Sequence, residues 1–226
     1  MRVLIGYDPR EERAYDVCAR SIVRRATIPV ELKPLKQVDL RKSGLFWRES
    51  TRRNYDLHDG TPQSTEFGYT RFLVPSLFNE GWVLFVDCDF LFLADIAELA
   101  ALADPRYAVM VCKQKHRPPS RLKMDGRRQT DYPRKNWSSL CLWNCGHIAN
   151  RTLTPTLVNS MHKHHLHQFK WLTSDLIGSL PVQWNWIADV TPGEPKAVHY
   201  TEGGPWFPEY ERVPYAKEWL EEEQRT

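Results

Sequence analysis

The sequence predicts an α/β fold, built as one domain around a mostly parallel central sheet. Short apolar runs alternate with segments of helical periodicity, which is the pattern of strands linked by helices. The 226 residues suffice for one sizeable domain and are marginal for two. With 42% apolar and 26% charged residues, the composition is typical of a globular chain and excludes a disordered one. We therefore expect residues 1–226 to form a single domain.

The first third of the chain has the order strand, helix, strand. Residues 3–7 are apolar and end in a turn at a proline, which predicts a buried strand. Apolar positions recur every three or four residues through 11–25, which predicts a helix, and 30–35 form a second strand. This order is typical of an α/β nucleotide-binding unit. Residues 39–65 are polar and weakly patterned, which predicts a long loop that is either functional or mobile.

The middle of the chain repeats the alternation. The predicted elements are a helix over 66–78, a strand over 82–86 after Gly81, a helix over 95–103 capped by Asp95, and a strand over 107–112. After residues 113–135, we predict a strand over 138–148, helices over 154–165 and 173–180, and a loop-rich end over 190–226.

Residues 113–135 are predicted to form a basic loop. They contain nine Lys or Arg and two Asp, a local charge of +7, although the whole chain carries only +3. Three roles stay open for this loop: it guides an anionic acceptor, it attaches the protein to an anionic membrane surface, or it is simply solvated. Aromatic residues are not interleaved with the charges, so no nucleic-acid partner is expected.

The five cysteines are odd in number and scattered, which favours reduced core thiols over a disulfide framework. The N-terminus lacks the apolar core of a signal peptide, and no apolar run approaches the roughly 20 residues of a membrane span. We therefore expect a cytoplasmic protein, with peripheral membrane attachment as the open alternative. His162, His164, His165 and His167 look like a metal tract, but helical spacing spreads their rings over several faces, so we expect a solvated surface.

The strongest local signal is a pair of aspartates directly after an apolar strand. Asp87 and Asp89 follow residues 82–86, and alternation along the strand brings both side chains to one face. Two such carboxylates repel each other beside a core unless a cation neutralises them. Ligands of open α/β sheets bind at the carboxyl ends of the strands, and carboxylate oxygens suit Mg²⁺ or Mn²⁺. The sequence therefore predicts a metal-dependent phosphate site here.

Further motifs occur in an order that resembles a known group. They are Ile5-Gly6-Tyr7-Asp8 with Tyr15, residues 67–72 with Arg71, residues 84–89, Trp143-Asn144-Cys145-Gly146, Leu180-Pro181 with Trp184-Asn185, and residues 198–206 with His199, Pro205 and Trp206. Through most of its length the chain resembles the glycosyltransferases of family 8, which include glycogenin and bacterial lipo-oligosaccharide galactosyltransferases.

The resemblance implies a GT-A fold with a single Rossmann-like domain, and transfer of a hexose from a nucleotide-diphosphate sugar, UDP being the expected nucleotide. It implies retention at the anomeric carbon and a hydroxyl acceptor on a glycan, a lipid-linked sugar or a protein. The metal ligands would be Asp87, Asp89 and His199, and the imidazole favours Mn²⁺ over Mg²⁺. The implied donor-binding residues are Tyr7, Asp8, Tyr15, Arg71 and Asp87, and the backbone of Gly203 and Gly204 is a further candidate. The implied catalytic residues are Arg71, Asn144 and Asp175.

One position departs from the family pattern. Gly204 stands where the family has a lysine that meets the diphosphate. Backbone N–H groups of Gly203 and Gly204 could form a small anion nest instead, or Lys115 or Arg117 could supply the charge. Two rival functions also remain: a sugar nucleotidyltransferase, and a non-catalytic protein that binds nucleotide-sugars or glycans. The first usually has a Gly-rich basic loop after its first strand, and residues 6–10 lack one.

Overall fold

A computed structural model describes residues 1–115 and 131–225, together with the backbone of 122–123 and 127–128. The strands are β1 (Arg2–Gly6), β2 (Glu31–Leu35), β3 (Trp82–Val86), β4 (Phe90–Phe92), β5 (Val109–Cys112), β6 (Leu122–Lys123), β7 (Arg127–Arg128), β8 (Leu140–Asn144), β9 (Ile177–Leu180) and β10 (Ala197–His199). The helices are α1 (Glu12–Arg25), α2 (Gln37–Lys42), α3 (Phe67–Thr70), α4 (Val74–Phe78), α5 (Ile96–Ala100), α6 (Pro155–Ser160), α7 (Lys163–His167) and α8 (Ala216–Glu223).

The central sheet has six strands in the order β2-β1-β3-β8-β5-β9. Strand β1 is parallel to both neighbours, and β5 is parallel to β9. Strand β8 alone runs antiparallel, between β3 and β5. The prediction of an α/β fold with a mostly parallel sheet is confirmed. Because β8 is reversed, its first residue Leu140 pairs with Val86, so the start of β8 lies beside the end of β3.

The sheet is held by apolar burial on both faces. Residues 83–86 of β3 have no exposed surface, as expected for a strand covered on both sides. Helix α1 buries Ala14, Val17, Cys18 and Ile22, which recur at helical spacing along one face. Each large apolar side chain fully buried in this way stabilises the fold by about 1.5–3 kcal/mol. All five cysteines are buried and free, as predicted.

A second, two-stranded sheet joins distant parts of the chain. Strand β10 pairs antiparallel with β4, with His199 opposite Phe90. Helix α8 follows and packs against α1. Its Glu222 is almost fully buried, and it accepts hydrogen bonds from Arg24 at 2.8 Å and Arg25 at 3.0 Å. Residues 190–226 are thus loop-rich, as predicted, but they also contain a strand and a helix that the prediction lacked.

Residues 173–180 do not form the predicted helix. Only 174–176 make a short 3-10 helix, and the chain then enters β9, which pairs with β5. The four residues of β9, Ile-Gly-Ser-Leu, are too few for periodicity to distinguish a strand from a helix, and pairing with β5 decides between them. Gly178 fits this place because a Cβ would lie 2.6 Å from the ring of Tyr107.

Ion pairs and hydrogen bonds of one buried arginine hold the predicted loop over 39–65 in place. It begins inside α2, and its centre is pinned by Arg48, which is 3% exposed. The Arg48 guanidinium donates to Asp56 at 2.6 Å and to Asp59 at 2.8 Å, and also to the carbonyl of Asn159 at 3.0 Å. The segment is therefore a packed part of the structure.

The predicted helix over 154–165 is divided into α6 and α7. No helix among the described residues has the length and apolarity to cross a bilayer. Most of the predicted basic loop, residues 116–130, lies outside the described residues apart from the backbone of β6 and β7. The suggested membrane role of that loop therefore falls largely on residues that the structure does not describe. Arg117, suggested as a source of charge for the diphosphate, also lies outside the described residues.

Candidate metal centre and donor cleft

Three side chains meet at the end of β3. Asp87 and Asp89 follow the strand, and His199 ends β10, whose pairing with β4 brings the ring alongside. The backbone N–H of Tyr200 donates to the carbonyl of Asp89 at 2.9 Å, which fixes the two segments together. One ligand atom from each of the three side chains lies within 4.8 Å of the others. The predicted trio Asp87, Asp89 and His199 is therefore assembled as a cluster.

A hydrogen-bond chain orients the imidazole of His199. Its Nδ1 lies 2.8 Å from Oδ1 of Asn185, and the Nδ2 of Asn185 donates to the carbonyl of Asn136 at 3.0 Å. Because that carbonyl can only accept, Oδ1 of Asn185 is the acceptor for Nδ1–H of the ring. Nε2 then faces Asp89, 3.3 Å from its Oδ1. A histidine whose Nδ1–H is held in this way presents Nε2 to a metal ion.

Asp87 lies beside the buried guanidinium of Arg71. Oδ1 of Asp87 is 2.7 Å from Nη1 of Arg71, which also donates to the carbonyl of Ser138 at 2.9 Å. Burial raises the pKa of Asp87 above its ordinary value, Arg71 opposes this rise, and Asp89 adds to it. A second positive charge at this point would restore the carboxylate.

The donor set fits a divalent cation. Two carboxylates and one imidazole with its lone pair directed inward are the ligands that Mn²⁺ accepts. All three residues are at most 8% exposed, so water does little to screen the two carboxylates from each other. Among the described residues, these three form the one cluster of His, Cys, Asp or Glu with metal-ligand geometry.

The trio forms one wall of a cleft of about 800 Å³, including its open mouth. The other walls come from residues 61–68, from 132–139 before and at the start of β8, and from 163–167 of α7, with Arg71 and Thr201 beside the trio. The site lies where the carboxyl end of β3 meets the start of the antiparallel strand β8. This position agrees with the general rule that ligands bind at the carboxyl ends of strands in open α/β sheets.

The residues expected at the nucleobase lie at the end of β1. The rings of Tyr7 and Tyr15 meet edge to face at 5.3 Å, and Nζ of Lys36 lies 4.6 Å from the Tyr7 centroid. Asp8 is 1% exposed, and it accepts hydrogen bonds from Arg10 and from the backbone N–H of Glu66 at 3.2 Å. Burial raises the pKa of Asp8, but these bonds outweigh it and the net shift is downward. Asp8 thus holds Glu66, whose neighbours Ser64 and Thr65 line the cleft, while Tyr7, Asp8 and Tyr15 lie outside that lining.

Asn144 and Asp175 are not brought to the cleft, and their assignment is corrected. Asn144 ends the reversed strand β8 and pairs with Trp82, about 13 Å of strand away from the end of β3. Its amide donates to the carbonyl of Tyr107 at 3.3 Å. Asp175 is exposed and precedes β9, a strand parallel to β5 that likewise starts at the opposite edge of the sheet. Both errors follow from not knowing strand direction.

The turn at Gly203 and Gly204 is explained by packing. A Cβ on Gly203 would lie 2.5 Å from the ring of Tyr210, and one on Gly204 would lie 1.9 Å from that of Trp206. The backbone N–H of Gly203 already donates to the carbonyl of Tyr200 at 3.0 Å. The suggested anion nest therefore lacks one of its two donors.

Several cleft residues were missed by the sequence interpretation. They are Tyr132, Lys135, Asn136, Ser138, Lys163, His164 and His167. The four-histidine tract is solvated only in part: His165 is exposed, but His167 is 6% exposed, with Nδ1 2.7 Å from Oγ of Ser138. The clustering of histidines in the sequence could have indicated a site here. Their partners, however, come from the segment before β8, and no local sequence pattern shows that the two segments meet.

Comparison with known proteins identifies relatives in sequence and in fold. No family model matches the chain. The chain is 50% identical over 230 residues to Protein CDI of Arabidopsis thaliana, covering 98% of this chain and 85% of that protein.

The solved structures of similar fold are glycosyltransferases. The bifunctional glycosyltransferase WbbM superimposes with a TM-score of 0.67 at 17% identity, over 100% of this chain and 50% of that one. The glycosyltransferase GlyE of Streptococcus pneumoniae TIGR4 gives 0.62 at 13%, over 100% of this chain and 60% of that one. The chain thus spans only half to three-fifths of these two proteins.

The galactosyltransferase LgtC, solved with donor and acceptor sugar analogues, gives a TM-score of 0.59 at 12% identity, over 99% of this chain and 95% of that one. These neighbours confirm the GT-A-type fold that the motifs predicted. The chain has the fold of the GT-A glycosyltransferases and, by its sequence, belongs to the same family as Protein CDI of Arabidopsis thaliana.

Proposed function

We propose that this protein is a metal-dependent glycosyltransferase that moves a hexose from a UDP-sugar to a hydroxyl acceptor, with retention at the anomeric carbon. The observation that carries the proposal is the trio Asp87, Asp89 and His199, assembled within 4.8 Å on the wall of a cleft at the sheet edge. The acceptor hydroxyl belongs to a glycan, a lipid-linked sugar or a protein.

The proposed cation is Mn²⁺, with Mg²⁺ as the weaker choice for an imidazole-containing site. When bound, it would neutralise the negative charge that develops on the departing nucleotide diphosphate. Asp87 and Asp89 supply carboxylate oxygens, and His199 supplies Nε2. Asn185 holds the ring through its hydrogen bond to Nδ1, so that Nε2 faces the carboxylates.

The donor would extend along the strand ends from β1 to β8. Tyr7 and Tyr15 provide an aromatic pair for the nucleobase, and Asp8 holds residues 64–66 against the cleft. Arg71 keeps its guanidinium at Asp87, where it adds positive charge near the diphosphate.

Asn136 is proposed to contact the transferred sugar in place of Asn144. It lines the cleft and is 7% exposed, and its Nδ2 has no hydrogen-bond acceptor among the described residues. A buried amide of this kind is costly unless a ligand hydroxyl accepts its proton.

The test is a thermal-shift titration of UDP and UDP-sugars with and without Mn²⁺. We expect stabilisation by UDP only when Mn²⁺ is present, and slow Mn²⁺-dependent release of UDP from a UDP-hexose without acceptor. Asp89→Asn should abolish both effects, whereas Asp39→Asn, an exposed aspartate of α2, should leave them unchanged. An unchanged shift in Asp89→Asn would reject the metal assignment.

The same preparation separates the two rivals. Formation of a UDP-sugar from a sugar phosphate and UTP would establish a nucleotidyltransferase instead. Metal-dependent release of UDP from a UDP-sugar without acceptor would count against a non-catalytic binding protein.

A further inference from the structure

One wall of the cleft is built by Tyr132, Lys135, Lys163 and His164. Tyr132 and Lys135 precede the reversed strand β8, while Lys163 and His164 open α7. In the sheet, β3 with the aspartates lies between β1 with Tyr7 and β8. A donor that follows this order places its nucleobase at β1, its diphosphate near β3, and its sugar toward β8. A wall that adjoins the start of β8 is then in position to meet the acceptor of that sugar.

This wall is positively charged. Among the described residues that line the cleft, Lys135 and Lys163 add two cations, and the acidic ones are Asp87 and Asp89 of the metal trio. If a divalent cation offsets those two carboxylates, Arg71 and the two lysines give these described lining residues a positive balance. Nζ of Lys163 is held in place by the carbonyl of Pro62 at 2.5 Å. A partly enclosed positive cleft attracts anions more strongly than an exposed surface does.

The same wall offers neutral contacts suited to a sugar ring. Tyr132 stacks on His164 with ring centroids 5.0 Å apart and planes 22° from parallel. Nζ of Lys135 lies 5.1 Å from the Tyr132 centroid, so charge and aromatic surface occur together. Burial lowers the pKa of His164, which favours the neutral form of its ring.

A buried polar atom without a partner supports ligand binding here. Nε2 of His167 has no hydrogen-bond partner among the described residues, although the side chain is 94% buried and lines the cleft. Its Nδ1 is engaged with Oγ of Ser138 at 2.7 Å, so the ring cannot turn away to solvent. An orphaned buried nitrogen is costly and is typically satisfied by a water or a ligand.

We propose that the wall formed by Tyr132, Lys135, Lys163 and His164 binds an anionic acceptor, a sugar that carries a phosphate or carboxylate group. The inference rests on the proposed glycosyltransferase function and adds the class of acceptor. The lysines bind the anionic group, while Tyr132, His164 and Nε2 of His167 contact the ring and its hydroxyls. The acceptor hydroxyl then faces the sugar held near Asn136.

The test measures acceptor binding to the protein saturated with Mn²⁺ and UDP, by calorimetric titration. The probes are glucose, glucose 6-phosphate, glucuronic acid and inorganic phosphate. We expect glucose 6-phosphate or glucuronic acid to bind at least about tenfold more tightly than glucose, the effect of one charge-assisted contact. The two anionic sugars distinguish phosphate from carboxylate, and phosphate alone shows whether the sugar ring contributes.

The variants are Lys135→Gln with Lys163→Gln, and Lys170→Gln as the matched control on an exposed lysine outside the cleft. The double variant should lose the preference for anionic sugars and keep the Kd for UDP, whereas the control should keep both. Equal binding of glucose and the anionic sugars would overturn the proposal. So would a double variant that binds UDP more weakly with the preference intact, because the lysines would then serve the donor diphosphate.

Failure of the two proposals is distinguishable. If UDP binds without any dependence on Mn²⁺, the proposed function fails and the acceptor proposal fails with it. If Mn²⁺-dependent UDP binding is observed but no anionic sugar is preferred, only the acceptor proposal fails.

Discussion

Asn185 fixes the tautomer of His199: its Oδ1 accepts from Nδ1 at 2.8 Å because its own Nδ2 is committed to the carbonyl of Asn136 at 3.0 Å. Asn185 has no exposed surface, and the ring it holds is stacked on Phe90 at 4.3 Å. The direction of the Nε2 lone pair is therefore set before any cation arrives.

Replacing Asn185 by Leu should weaken Mn²⁺ binding by about 10- to 100-fold, the usual effect of losing a group that orients a ligand. Calorimetric titration of Mn²⁺ in the presence of UDP measures the change. Asn159→Leu is the control, because Asn159 is also buried and hydrogen-bonded, to the carbonyls of Leu45 and Pro155, but lies outside the cleft. Equal losses in both variants would mean that the effect is one of general stability.

Mn²⁺ affinity should fall as the pH falls through about 6. Burial raises the pKa of Asp87 to about 6 in spite of the neighbouring Arg71, so below this pH the cation must displace a proton. The affinity should then drop by up to about tenfold for each further pH unit. Titrations between about pH 7 and pH 5 measure this slope. A constant affinity over that range would contradict the position of Asp87 as a ligand.

Replacing Arg48 by Met should lower the free energy of unfolding by about 3–5 kcal/mol, because Asp56 and Asp59 would remain buried without their partner. Urea unfolding measures the loss. The exposed Arg52 of the same segment is the control, and Arg52→Met should change stability by less than about 0.5 kcal/mol. Similar values for the two variants would show that the ion pair does not anchor this segment.

Gly204→Lys should not restore the diphosphate contact of the family. A Cβ at this position would lie 1.9 Å from Trp206, so we expect a loss of about 1–3 kcal/mol of stability and no gain in UDP affinity. Thermal unfolding and UDP titration measure the two quantities. Gly146→Lys is the control, since its Cβ would meet other atoms only at 3.6 Å or beyond. A stable Gly204→Lys protein with tighter UDP binding would refute this account.

The parts of the structure that local pattern controls were predictable. Strand β3 and the cap of α5 by Asp95 are where the sequence indicates, because apolar runs and N-caps act within a few residues. The cluster of Asp87, Asp89 and His199 was also predicted, since two of its members adjoin one strand and the third belongs to a recognisable motif.

Strand direction was not predictable in the same way. Asn144 was expected near the sugar because it follows an apolar run, yet β8 is antiparallel and presents Asn136 at the site instead. The direction of β8 depends on pairing with β3 and β5, which are distant in the chain. The same long-range dependence explains why residues 177–180, predicted as helical, became the edge strand β9.

The pairing of β4 with β10 also joins the middle of the chain to its C-terminal part. An ion shared by Asp89 and His199 would strengthen this connection between the sheet and the final segment, where Trp219 of α8 is packed beside α1. At 100 times its Kd such an ion would contribute about 2.7 kcal/mol to the stability of the folded chain. Removing it with a chelator should then make the C-terminal helix more accessible to proteases, and limited proteolysis would report whether the site is loaded.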